Sequence, residues 1–189
     1  MSKKFIVALI AVCLLVIGCT GGESITASND EIDTNLFDVY QTNDFAIGYP
    51  KGWKLKDDFT SDLTQATEVA FISHVKEFFF TPTVSVSMRE VTAGVKTLDF
   101  AKVVMAQNEK SLLNFNLVES VDFALPNVDA SVLHTFQGKV QAEGDLVEYF
   151  QTYAIFGSKA FIITGAHDPN GDPLLAERLL ETLQNFRVR

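Results

Sequence analysis

Phe45-Ala46-Ile47-Gly48-Tyr49-Pro50-Lys51-Gly52-Trp53 carries a strand, a turn and the start of a second strand. Phe45, Ile47 and Tyr49 alternate with smaller residues, the period that puts one face of a strand against a core. Pro50 fixes φ at the second position of a turn, and Gly52 supplies the permissive one. Trp53 then opens a short strand that runs through Leu55. It is the chain's single tryptophan, and so large a ring either fills the core or stacks on a ligand.

Working outward toward the C-terminus, 57–66 is polar and reads as a loop. Residues 68–73 read as a strand, with Val69 and Phe71 on one side. Residues 75–81 hold Phe78-Phe79-Phe80 between a polar turn and Pro82. Three consecutive aromatics cannot share one face. Either one or two are buried and the rest partly covered, or they form an exposed apolar patch for a partner, which soluble monomers usually avoid. Residues 83–91 alternate cleanly, with Val84, Val86 and Met88 inward and Ser85, Ser87 and Arg89 outward.

A helix follows, with Thr97 expected at its cap and Asp99 near the positive end of its dipole. Ala101, Val104, Met105, Asn108 and Leu112 recur at three- and four-residue spacing and predict the packed stripe. Four strands come next. The first is marked by Leu117, Val121, Phe123 and Leu125, and the second by Ala130, Val132, His134 and Phe136. The third is the run 146–156, and the fourth follows the Gly157-Ser158-Lys159 turn. Their short connections imply antiparallel pairing. Asp172 at a cap and Pro173 at the first helical position announce a last helix, with Leu175, Leu179, Leu183 and Phe186 as its buried stripe. The pattern predicts an α+β domain: an antiparallel β-sheet of about six strands flanked by helices.

Working back toward the N-terminus, 20–35 is rich in Gly, Ser, Thr, Asn and acidic residues, a composition expected to give a flexible, self-repelling leash. Before it, Lys3 and Lys4 precede the apolar run 5–17, with small Gly18 just ahead of Cys19. These are the parts of a secretory signal, and about 13 apolar residues fall short of the roughly 20 that a membrane-spanning helix needs. Val16-Ile17-Gly18-Cys19 resembles the lipobox of prokaryotic lipoproteins. That resemblance implies a diacylglyceryl (palmitate-type) anchor on Cys19, and two acyl chains hold a protein firmly where one does not. The expected organisation is a signal peptide at 1–18, a lipidated cysteine and acidic tether at 19–35, and a folded domain at 36–189. The expected address is the extracytoplasmic face of a membrane in the cell envelope.

Cleavage would also remove Cys13, leaving Cys19 as the last cysteine and no internal disulfide. The 13 basic and 24 acidic residues that remain give a net charge of −11. Such a balance argues against nucleic acid as a partner, because phosphate binding needs a concentrated basic face. It also argues against adsorption of the domain to anionic lipid.

The residues do not assemble into a catalytic set. No Gly-x-Ser-x-Gly elbow or phosphate-cradling glycine loop is present, and His74, His134 and His167 stand in unrelated contexts. No cofactor is expected. Asp168, Asn170 and Asp172 have the spacing of the first three ligands of a calcium loop. However, Pro173 stands where such a loop needs Gly and Leu179 where it needs Glu, so a turn running into a helix cap explains them better. His134, on the apolar face of its strand, reads as a hydrogen-bonded core residue.

The segment Phe45 to Trp53, the lipobox followed by Gly21-Gly22, Val69-Ala70-Phe71, the strand 83–91 and the terminal Asn185-Phe186-Arg187-Val188 together resemble the PsbP family. These are extrinsic proteins of photosystem II, and the likeness is strongest to their lipid-anchored prokaryotic members. The likeness implies a PsbP-like α/β/α sandwich over 44–189. The calcium- and chloride-retaining role of the plant members does not transfer, because no metal or photosystem contact matches residue by residue. The reading is a non-enzymatic lipoprotein, held to the membrane through Cys19, that serves a protein partner in the envelope as a binding or assembly-accessory module. Tyr49, Trp53, Phe78 and Phe79 are its possible ligand or partner surface. The alternatives are a small-molecule or divalent-metal binding lipoprotein, or a photosystem II accessory in a photosynthetic source.

Overall fold

A computed structural model describes residues 32–59 and 67–189. The expected signal peptide, Cys19 and nearly all of the tether lie outside the described residues, as does 60–66 of the loop at 57–66. The first three strands are β1 (Phe37–Gln41), β2 (Phe45–Pro50) and β3 (Lys54–Lys56). After the loop come β4 (Thr67–Ile72), β5 (Thr83–Glu90), helix α1 (Thr97–Ser111) and β6 (Leu113–Asp122). The chain continues through β7 (Val132–Lys139), β8 (Val147–Phe156), β9 (Lys159–His167), helix α2 (Pro173–Gln184) and β10 (Phe186–Val188).

Seven strands form one sheet in the order β3-β4-β5-β9-β8-β7-β6, and β1, β2 and β10 form a second sheet with β2 in the middle. Every pairing is antiparallel. The α+β architecture read from the sequence is the one observed, with seven strands rather than six in the main sheet.

The alternation in β5 shows how the layers arise. Val84 and Val86 are fully buried while Ser85 and Ser87, which alternate with them, are half-exposed. The inward face joins Phe45, Ile47, Phe71, Phe161, Ile163, Leu179, Leu183 and Phe186 in one core. That core lies between the large sheet and the layer built from α2 and the small sheet. The opposite face of the large sheet is covered in part by α1, whose Phe100, Ala101 and Val104 meet Tyr153, Ala160 and Ile162. α2 lies close over β9 at Gly165, where an added Cβ would come into van der Waals contact with Leu179 at 3.4 Å.

Two local expectations are corrected. The N-cap of α1 is Lys96 rather than Thr97: Lys96 is extended (φ −88°, ψ 145°), Thr97 is the first helical residue, and no side chain caps the exposed N–H groups. The packed stripe of α1 runs through Phe100, Ala101 and Val104, while Leu112 has left the helix and stands at its C-cap in extended conformation. Asn108 does face the sheet, donating to Gln151 Oε1 at 2.9 Å. The start of α2 is as read: Asp172 Oδ1 accepts the Leu174 N–H at 2.9 Å, with Pro173 at the first position. His134 lies half-buried against Tyr153, with its Nδ1 2.7 Å from Ser120 Oγ.

Candidate functional site

Between β4 and β5 the chain makes an excursion whose ends are pinned together by the Ser73 N–H donating to the Pro82 carbonyl at 2.9 Å. At its far end Glu77 and Phe80 exchange both backbone hydrogen bonds, each 2.8 Å, so Phe78 and Phe79 are the two central residues of a tight turn. Neither has a positive φ. Both rings point away from the core, and each is 72% exposed.

The stem of this turn is locked from the other side. Glu77 is only 7% exposed, a costly place for a carboxylate unless N–H groups face it. Here they do. Its Oε2 accepts the Asp168 N–H at 3.1 Å and its Oε1 the Asp172 N–H at 2.7 Å, both from the turn that connects β9 to α2. Gly171 makes the approach possible, because a Cβ at that position would fall on the Glu77 carboxylate. The same turn uses its own acids internally: Asp168 Oδ1 accepts the Asn170 N–H at 2.8 Å, and Asp172 caps α2. The calcium-like spacing of Asp168, Asn170 and Asp172 thus corresponds to a turn closed on itself around a glutamate. Among the described residues no three acidic, histidine or cysteine side chains are grouped to hold a metal.

Phe78 and Phe79 form one wall of a cavity of about 320 Å³, completed by Asp145, Leu146, Asp168 and Asn170. Next to Asp168, His167 Nε2 lies 3.0 Å from Glu148 Oε2, and the imidazole stacks on Phe150. The hydrogen bond from His167 holds the Glu148 carboxyl below its ordinary range; burial opposes this, and Gln137 adds a second hydrogen bond that favours it.

Tyr49 and Trp53 lie elsewhere. Tyr49 is half-exposed and stacks on Phe71 with ring centroids 4.3 Å apart. Trp53 is 8% exposed and belongs to the large core. Of the four residues singled out from the sequence, Phe78 and Phe79 come together, and neither Tyr49 nor Trp53 lines their cavity.

The sequence reading missed a second, larger groove of about 760 Å³. It runs between the start of α1 (Val95, Lys96, Leu98, Asp99, Lys102), the loop holding Asn127 and Asp129, and Phe156 at the end of β8. No local pattern announces it, because its walls come from three separate stretches. Asn127, which lines it, adopts φ 63° in its loop.

No protein-family model matches this chain, and no curated protein sequence matches it significantly. Solved structures do match. Cyanobacterial PsbP (CyanoP) from Synechocystis superposes with a TM-score of 0.59 at 11% identity, over 86% of this chain and 98% of that one. LpqN of Mycobacterium tuberculosis, involved in cell envelope biogenesis, matches with a TM-score of 0.57 at 12% identity over 76% and 82%. The Pseudomonas aeruginosa protein PA94, of unknown function, matches with a TM-score of 0.55 at 17% identity over 81% and 97%. The fold of this chain is PsbP-like.

Proposed function

We propose that this chain is an extracytoplasmic lipoprotein of the cell envelope, tethered through lipid on Cys19, whose PsbP-like domain works without catalysis by docking a protein partner. The observation that carries this reading is the Phe78–Phe79 turn. Two rings, each 72% exposed, stand on a stem clamped by a buried carboxylate. Large aromatics on a rigid base are favoured anchors of protein interfaces, where their area is covered at little cost in ordering. The envelope role of LpqN, which has the same fold, supports the address.

Two experiments test the parts separately. Cell fractionation of Cys19→Ala tests the tether: the variant is expected in the soluble fraction, and its persistence in membranes would contradict the lipid anchor. Crosslinked pull-down from membranes tests the docking: a partner recovered with the natural protein is expected to be lost with Phe78→Ser/Phe79→Ser. Equal recovery with both would contradict it.

A small-molecule reading has the groove at the start of α1 on its side, with exposed Leu98 and Phe156 beside Lys96 and Asp129. A thermal shift with pooled metabolites that disappears in Phe156→Ser would support it, and a flat response would count against it.

A further inference from the structure

The partner's chemistry can be taken further from the walls of the Phe78–Phe79 cavity, resting on the docking reading above. We infer that this cavity receives a lysine or arginine side chain of the partner, flanked by an apolar residue. One wall is formed by Phe78 and Phe79, whose rings are exposed, and the others by the acidic Asp145 and Asp168, the polar Asn170 and the apolar Leu146. A cation over an aromatic face is attracted by the ring quadrupole, and carboxylates beyond the ring complete its neutralisation. The stem of a lysine or arginine is apolar, so it suits the Phe79 and Leu146 surfaces while its head reaches the acids.

Asp168 is placed to act as a fixed acceptor. It is 7% exposed, and its backbone N–H is tied to Glu77 while its Oδ1 holds the Asn170 N–H. The sign of the whole domain agrees. Residues 36–189 carry 20 acids against 13 bases, a field that draws cationic surfaces toward it and speeds their encounter. The same charges speak against the bilayer as the occupant. Sinking Phe78 and Phe79 between headgroups would carry the neighbouring Asp145 and Asp168 toward the hydrocarbon, where an unpaired carboxylate is costly.

The test uses the full-length lipidated chain in phosphatidylcholine vesicles, with fluorophenylalanine incorporated to report on Phe78 and Phe79. Three amidated pentapeptides serve as probes: Leu-Arg-Leu-Arg-Leu, Leu-Glu-Leu-Glu-Leu and Leu-Gln-Leu-Gln-Leu. The arginine peptide is expected to shift the Phe78 and Phe79 signals, and Asp145→Asn to weaken it about tenfold, the scale of one partly desolvated cation contact. The other two peptides are expected to leave the signals unmoved. If the glutamine peptide binds as well as the arginine peptide, the cation inference is overturned while the docking surface stands. If none of the three binds, the inference is overturned as well. If spin-labelled lipid broadens the Phe78 and Phe79 signals before any peptide is added, the turn is a membrane wedge. That result overturns both this inference and the docking reading.

Discussion

Glu77 is the residue on which the candidate surface rests, because its carboxylate accepts two backbone N–H groups of the β9–α2 turn. Glu77→Ala should cost about 2–4 kcal/mol, since two hydrogen bonds to a carboxylate are lost and the Asp168 donor stays buried. For a domain of this size that lowers Tm by about 5–10 °C, and it should let Phe78 and Phe79 reorient freely. A melting curve indistinguishable from the natural protein would contradict the clamp. Phe78-Phe79-Phe80 was visible in the sequence as an exposed patch or a half-buried run. The clamp was not, because Glu77 and Asp168 are 91 positions apart and no local pattern links them.

His134 gives a residue-scale prediction of a different kind. Burial lowers its pKa from the ordinary 6.5, so the folded chain binds this proton less readily than the unfolded one. Stability from His134 is therefore complete above pH 6.5 and declines as pH falls from there toward its lowered value. Glu148, also lowered, acts further down: its contribution is lost as pH falls through and below the ordinary carboxylate range. Urea unfolding between pH 7.5 and pH 5 should show a smaller acid decline in His134→Gln than in the natural chain. Parallel curves would contradict it.

At the scale of elements, the two helices differ in how they begin. Asp172 caps α2 through the Leu174 N–H, so Asp172→Ala should cost about 1 kcal/mol. Lys96 caps α1 with no side-chain bond and with its charge against the dipole, so Lys96→Ser should gain about 0.5–1 kcal/mol. Thermal melts of the two variants should move in opposite directions, and a loss in both would contradict the assignment of caps. The same contrast explains what could be read in advance. Asp172-Pro173 is a start signal whose chemistry is used as written, whereas Thr97 looked like a cap and lies one residue inside the helix.

β1 and β10 escaped notice for a physical reason: a short strand shows too few alternations to read. β10 has three residues, and β1 turns only Phe37 fully inward while Val39 stays 45% exposed. The alternation of β5 and the antiparallel run from β7 to β9 were legible because long strands buried on one or both faces repeat their pattern, whereas β6 is exposed along almost its whole length. The pairing of β10 with β2, which closes the small sheet, joins Phe186 to Ile47. Only the tertiary fold reveals it.

At the scale of the molecule, a PsbP-like domain presents one rigid aromatic turn on an acidic body, and the sequence before it carries a lipobox-like segment ending at Cys19. Under the proposed function these would make a tethered docking module, with the anchor setting its address and the Phe78–Phe79 turn setting its contact. Among the described residues no helix is long and apolar enough to cross a membrane, and the proposed lipid would hold the domain without one. The most direct test is a photocrosslinking amino acid placed at Phe79 in the producing cells, compared with the same probe at Val103, which is 56% exposed on α1. A discrete crosslinked product from position 79, absent from position 103 and abolished by Glu77→Ala, is the predicted result. No product from position 79, or the same product from both positions, would contradict the account.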